Sequence, residues 1–388
     1  MKFNEEYFDA GLYRCDTRSE KWDGCRSRKG ENTLPMWVAD MDFPSPPAAQ
    51  EAILRRAAHP TYCYTEILED DHQAVCDFWQ RRHGVSVTAD QVTMLPCVVT
   101  GLKVMIRAFT KPGDGVIIQS PVYGPFRFSV EATDRRLMDC PRLHMADGSY
   151  GMDYAAIEKA LQNGARVMLL CNPHNPVSRL WSKAELERLS ALLKQYDALL
   201  VSDEIHADFV YPTDAFVSAL SISGARTIVL CAASKTFNLA GLQQASCLCP
   251  DDDLRGQLRA ELNATGVVSG NIFALEATRA AYQEGDDWLD GLISYLDGNR
   301  GELAGLIAEY LPKAVLSPIS ATYLAWIDLS AWGYPCEELE KRLDAAGVAF
   351  TMGTFFGETG EYHVRLNFAC PRRYLKEGVL RLKKALEG

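Results

Sequence analysis

Three side chains that can do chemistry together follow three strand-like runs in this chain. Lys235, in Ala-Ser-Lys-Thr-Phe-Asn-Leu-Ala-Gly-Leu (233–242), comes after Thr227–Cys231. Asp203, in Ser-Asp-Glu-Ile-His (202–206), comes after Ala198–Val201, and Asn175, in Asn-Pro-His-Asn-Pro (172–176), after Ala165–Cys171. An open α/β sheet builds its site along the edge where parallel strands end. An amine there can form a Schiff base with a carbonyl cofactor, and a carboxylate can pair with a pyridinium nitrogen. Together they point to pyridoxal phosphate. A single lysine in such a loop reads as a solvated surface charge; the ordered series argues otherwise.

These residues need a sheet to hold them, and the middle of the chain alternates strand-like and helix-like patterns as α/β proteins do. Pro112-Gly-Asp-Gly115 marks a turn before a short buried strand, Val116-Ile-Ile-Gln119. Ala165–Cys171 is almost continuously apolar, as expected for a parallel strand covered on both faces. Ser182-Lys-Ala-Glu185 reads as a capping box, with Leu186, Leu189, Leu193 and Tyr196 following at helical spacing. The last hundred residues differ. A long helix is expected over Trp288–Leu311, and helices over Cys336–Ala346 and Arg373–Leu386. Thr322–Asp328 and Tyr362–Phe368 alternate like half-exposed strands. The expected division is a large cofactor domain over 48–285 and a smaller α+β domain from 1–47 and 286–388.

Bulk properties exclude several classes. At 388 residues the chain exceeds one hydrophobic core, and 47% hydrophobic with 23% charged residues is ordinary for a globular protein. A formal net charge of −11 argues against a nucleic-acid or anionic-membrane surface. The N-terminal stretch from Met1 to Asp9 lacks an apolar signal core, and no run reaches membrane-span length. The twelve cysteines are scattered, with no Cys-x-x-Cys pair, which reads as a reducing cytoplasm without disulfides or a zinc site.

Seven segments in order carry a resemblance: Lys21-Trp-Asp23 with Pro35-Met-Trp-Val-Ala-Asp-Met-Asp-Phe43, Ile106–Gly115, Gln119-Ser-Pro-Val-Tyr123, Cys171–Val177, Ser202–Asp208, Ser234–Gln243, and Val364–Arg372. The chain resembles fold-type I pyridoxal-phosphate enzymes, the aspartate-aminotransferase superfamily, over nearly its whole length. It is most similar to the MalY/PatB branch of cystathionine β-lyases and C–S lyases. The resemblance implies the transferase-like α/β fold and a carbon–sulfur β-lyase acting on an L-cysteine thioether. An aminotransferase on the same scaffold is the alternative, and a regulatory or binding protein using this fold is a third.

The resemblance also implies roles. Lys235 would carry the cofactor and serve as base at Cα; Asp203 would pair with the ring nitrogen, a helix N-cap being its other reading. Asn175 would reach the ring oxygen and the substrate carboxylate, with Asn172 shaping the turn. His206 would lie near the ring oxygen, or be a buried structural histidine. Tyr123 would stack on the ring, or only fill core. The Val99 and Thr100 N–H groups and the Ser234 hydroxyl would hold phosphate. Tyr64 would reach the phosphate of a second subunit, making the site composite and the enzyme an obligate homodimer. Arg365 would grip the substrate carboxylate, or be a solvent-facing strand charge; Trp37 would line the mouth, or be core. Two departures stand out beside Gln243, which the branch shares in place of a phosphate-binding Arg. Ser178 and Ala321 stand where glycine is usual, and are expected to alter backbone angles near the substrate pocket.

Overall fold

The computed structural model describes residues 3–267 and 270–388; Met1 and Lys2 of the N-terminal stretch lie outside them. Seven strands form the central sheet: β1 (Val92–Leu95), β2 (Gly115–Ile118), β3 (Arg136–Asp139), β4 (Ala165–Cys171), β5 (Leu199–Asp203), β6 (Thr227–Cys231) and β7 (Ala245–Leu248). Their spatial order is β1-β7-β6-β5-β4-β2-β3. The run from β6 to β3 is parallel, and β7 pairs antiparallel with both of its neighbours.

The apolar runs are continuous because both faces are covered. Val167, Leu169, Val201 and Leu230 pack with Leu102 and Ile106 of helix α1 (Val98–Phe109). Met168, Leu170, Leu200 and Val229 face the other way, toward Leu186, Leu189 and Leu193 of α2 (Lys183–Gln195). The capping box that starts α2 is formed: the Glu185 N–H donates to Ser182 Oγ (3.3 Å), and the Ser182 N–H to the Glu185 carboxylate (3.0 Å). One boundary differs from expectation. β5 runs two residues past Val201, so Asp203 ends the strand, and a turn follows where a helix would be needed for the N-cap reading.

Downstream of the sheet, the long helix α3 (Asp286–Tyr310) leads into a four-stranded antiparallel sheet. It contains β8 (Val315–Leu316), β9 (Leu324–Asp328), β10 (Thr351–Met352) and β11 (His363–Asn367), in the order β8-β9-β11-β10. Helices α4 (Cys336–Ala346) and α5 (Arg372–Glu387) pack beside it. The alternation in β9 and β11 does not mark a half-exposed sheet: every residue of β11, and all of β9 except Asp328, is buried. The polar face of β11 is covered by the chain's own N-terminal segment. Leu34–Pro35 pairs in parallel with Val348–Ala349, and Asn367 Nδ2 donates to the carbonyls of Val38 (2.7 Å) and Asp40 (2.8 Å).

That covering segment is anchored by charge. Buried Lys21 donates to Asp42 (2.8 Å) and to the Asp40 carbonyl (2.9 Å), while Arg14 bonds Asp40, Asp42 and the Met41 carbonyl. Buried charges persist only when so paired. Among the described residues no helix is long and apolar enough to cross a membrane.

Candidate active site

The C-terminal ends of β4, β5 and β6 deliver Asn175, Asp203 and Lys235 to one cavity of about 240 Å³. Val99, Tyr123, His206, Ser234, Gln243 and Arg365 line it as well. The sheet edge thus gathers most of the residues expected there. Three lie elsewhere. Tyr64 is fully exposed, and Tyr62, Leu54 and Leu68 are exposed as well. The Trp37 ring turns away, its Nε1 donating to the Lys21 carbonyl, and only its backbone oxygen reaches the site. Thr100 does not line the cavity, and its N–H is taken by Cys97 Sγ (3.4 Å).

Cys97 was not anticipated. It caps α1, and its carbonyl also takes the Gly101 N–H (3.0 Å). The first four N–H groups of a helix have no partner within it. With that of Thr100 taken by the Cys97 sulfur, and the Gly101 N–H making the first bond of the helix itself, the helix-start residues that line the cavity are Val98 and Val99. Of the expected pair, Val99 lines the cavity and Thr100 does not, its N–H being taken by the sulfur cap.

The Lys235 amine donates to the Ala39 carbonyl at 2.6 Å. It lines the cavity, and burial brings its pKa down to about 8, with Asp40 and Asp203 opposing and Arg365 assisting. Burial drives the Asp203 carboxyl up to about 7, countered by the Ile205 N–H (3.2 Å) and by Lys235. Among the described residues Asp203 has no ion-pair partner, so a cation placed beside it would hold it ionised. His206 is neutral: burial, then Lys235 and Arg365, push it down to about 3, and its buried Nδ1 has no partner among the described residues.

Arg365 sits in the middle of β11 and is buried. Its fork donates to Asn175 Oδ1 (3.0 Å), the Trp37 carbonyl (2.8 Å) and Thr351 Oγ1 (3.2 Å), which fixes its plane. Its Nε–H is buried without a partner among the described residues. Burial lowers its pKa to about 10, so it remains a cation at neutral pH. The solvent-facing reading of this arginine is excluded. Asn172, by contrast, bonds Glu204 and the Val217 carbonyl, behind the site.

Unexpected too are Tyr323, whose hydroxyl reaches the Ala39 carbonyl (3.2 Å), and Asp40, whose charge acts on Lys235. The departures meet each other: the Ala321 N–H donates to the Ser178 carbonyl at 3.1 Å. Ser178 adopts φ +54°, the left-handed conformation that glycine takes freely, so the serine keeps the backbone turn.

The chain is 40% identical to cystathionine β-lyase PatB of Bacillus subtilis, covering 98% of this chain and 99% of that one. Cystalysin from Treponema denticola, a structure containing pyridoxal 5'-phosphate, superposes with a TM-score of 0.92 at 32% identity, covering 97% and 98%. The PLP-bound C–S lyase of Staphylococcus hominis gives 0.91 at 29%, covering 98% of each. The family described as aminotransferase class I and II matches residues 34–382, from the N-terminal segment through β11 to α5, and the chain belongs to it.

Proposed function

We propose that this chain is a pyridoxal-phosphate-dependent carbon–sulfur β-lyase that converts an L-cysteine thioether to a thiol, pyruvate and ammonia. One observation carries the reading. A single cavity holds an amine of lowered pKa, a carboxylate lacking a cation, and an arginine and a histidine each with an unmet buried nitrogen. Pyridoxal phosphate and an amino-acid carboxylate offer partners for each of these. The relatives named above supply the reaction class.

Bound through the Lys235 amine, the cofactor supplies an electron sink for loss of a Cα proton and departure of a Cβ substituent. The protein's groups do the rest. Asp203 would hold the ring nitrogen protonated by remaining ionised beside it. Asn175 and neutral His206 would serve the ring oxygen, and Tyr123 would cover the ring. Val98, Val99 and Ser234 would receive the phosphate, with Gln243 offering polarity but no charge. Arg365 orients the substrate by its carboxylate, and the freed Lys235 amine takes the Cα proton. A base of pKa about 8 is partly unprotonated at neutral pH and still accepts a proton readily.

The substrate site is composite in this reading. Ile67 and Glu69, which follow the exposed Tyr62 and Tyr64 in the chain, line a groove that shares Gln243 and Gln244 with the cofactor cavity. A second copy seated there would bring its own Tyr64 to the phosphate. We divide the chain into a large domain over 48–285 and a small one from 1–47 and 286–388, and place the protein in the cytoplasm, in keeping with its free cysteines. Purified protein is expected to release pyruvate and thiol from L-cystathionine. A 2-oxo acid from a donor amino acid, without pyruvate from the thioether, would establish the aminotransferase instead.

A further inference from the structure

The Ala39 carbonyl accepts two donors, the Lys235 amine at 2.6 Å and the Tyr323 hydroxyl at 3.2 Å. Tyr323 is buried, its ring edge-on to those of Phe209 (4.7 Å) and His206 (5.9 Å). Packing alone would be satisfied by phenylalanine, so the hydroxyl needs its own account.

The backbone beside it is held under strain. Thr322 has φ +63°, a conformation that β-branched residues rarely adopt. Such residues persist only where their surroundings over-determine them. Here the Thr322 N–H donates to the Phe209 carbonyl (2.9 Å), and its own carbonyl takes the Tyr211 hydroxyl (2.6 Å). Thr322 Oγ1 bonds Ser178 Oγ (2.8 Å), and Ser178 Oγ also donates to the Leu324 carbonyl. The serine at 178 therefore supplies a hydroxyl that bridges both sides of Tyr323, which glycine could not.

We propose that Tyr323 is a positioning residue for Lys235: its hydroxyl shares the Ala39 carbonyl with the amine, and the Ser178–Thr322 strut keeps it there. This rests on Lys235 being the cofactor-bearing base. A carbonyl oxygen has two lone pairs. With Tyr323 on one, the amine has a single direction of approach and a weaker acceptor, since both donors draw on the same electron density. The carbonyl then restrains the protonated amine less firmly, and the amine is freer to leave for the cofactor or the substrate. The other charged or titratable groups facing the amine are Asp40, Asp203, Arg365 and His206, of which Asp40 and Arg365 also lie within electrostatic reach of the Tyr323 hydroxyl.

The test is the rate at which the cofactor-stripped full chain takes up pyridoxal phosphate, followed by visible absorbance across pH. Tyr323→Phe should move the midpoint of the rise up by about half to one pH unit, the worth of one hydrogen bond. Uptake at pH 7 slows about three- to tenfold and converges with wild type by pH 10. Ser178→Gly, which keeps the left-handed turn and loses the bridge, should shift the midpoint less, in the same direction. The holoenzyme's kcat profile should move on its acid side with KM little changed. A uniform loss at every pH, or unmoved midpoints in both variants with a normal wild type, overturns the inference alone. A wild type that takes up no cofactor through Lys235 overturns the functional reading and this inference together.

Discussion

Replacing Arg365 with lysine tests the substrate clamp while keeping its charge. The guanidinium is held flat by Asn175, the Trp37 carbonyl and Thr351, with its Nε–H left over. An ammonium at this site cannot satisfy all three and also present a two-pronged face to a carboxylate. Losing one charge-assisted hydrogen bond costs about 1.5–3 kcal/mol, or roughly 10- to 150-fold in kcat/KM. The carboxylate is gripped equally before and during the reaction, so the loss should fall mainly on KM. Pyruvate release from L-cystathionine measures this. As a control, a thioether amine lacking the carboxylate should perturb the cofactor's visible spectrum equally well in both proteins. An unchanged KM in Arg365→Lys would refute the clamp and leave Arg365 as an internal strut between β11 and the N-terminal segment.

Three further outcomes are expected. Lys235→Met should stabilise the cofactor-free chain. The folded state depresses this lysine from 10.5 to about 8, so its penalty is full below pH 8, shrinks as pH rises, and is gone near 10.5. The gain is at most about 3 kcal/mol at pH 7, discounted for hydration through the cavity, and thermal melts at pH 7 and 10 would reveal the difference. Lys21→Met should cost about 3 kcal/mol in denaturant unfolding, by leaving Asp42 short of its buried partner. Mixing inactive Tyr64→Ala and Lys235→Ala subunits should restore activity, since a hybrid dimer has one intact site; no recovery in a verified hybrid would count against the composite site.

The large sheet was legible because its strands are buried on both faces. Ala165–Cys171 and Thr227–Cys231 were read with the boundaries they have, since a continuous apolar run has few alternative registers. The strand ends marked the site for the same reason: Asn175, Asp203 and Lys235 each lie within four residues of the point where an apolar run stops. What the sequence hid are backbone acceptors and caps. The Ala39 carbonyl has no side chain to announce it, and Cys97 looks like another apolar residue until its sulfur is seen taking the Thr100 N–H.

The small sheet was misread for a different reason. Its period-two pattern was correctly seen in Tyr362–Phe368, but alternation says only that two faces differ, not that one is wet. His363, Arg365 and Asn367 share a face that is wholly buried: the His363 ring stacks on Trp326 with its Nδ1 on the Glu361 carbonyl, while Arg365 and Asn367 bond the site and the carbonyls of residues 37–40. The segment that covers them is some three hundred residues away in sequence, and Lys21 and Arg14 hold it down. The N-terminal motif thus acquires a physical purpose. It seals the polar face of β11 from water, and in the sealed space a single Arg365 can bind a carboxylate far more strongly than it would at a solvent-exposed strand.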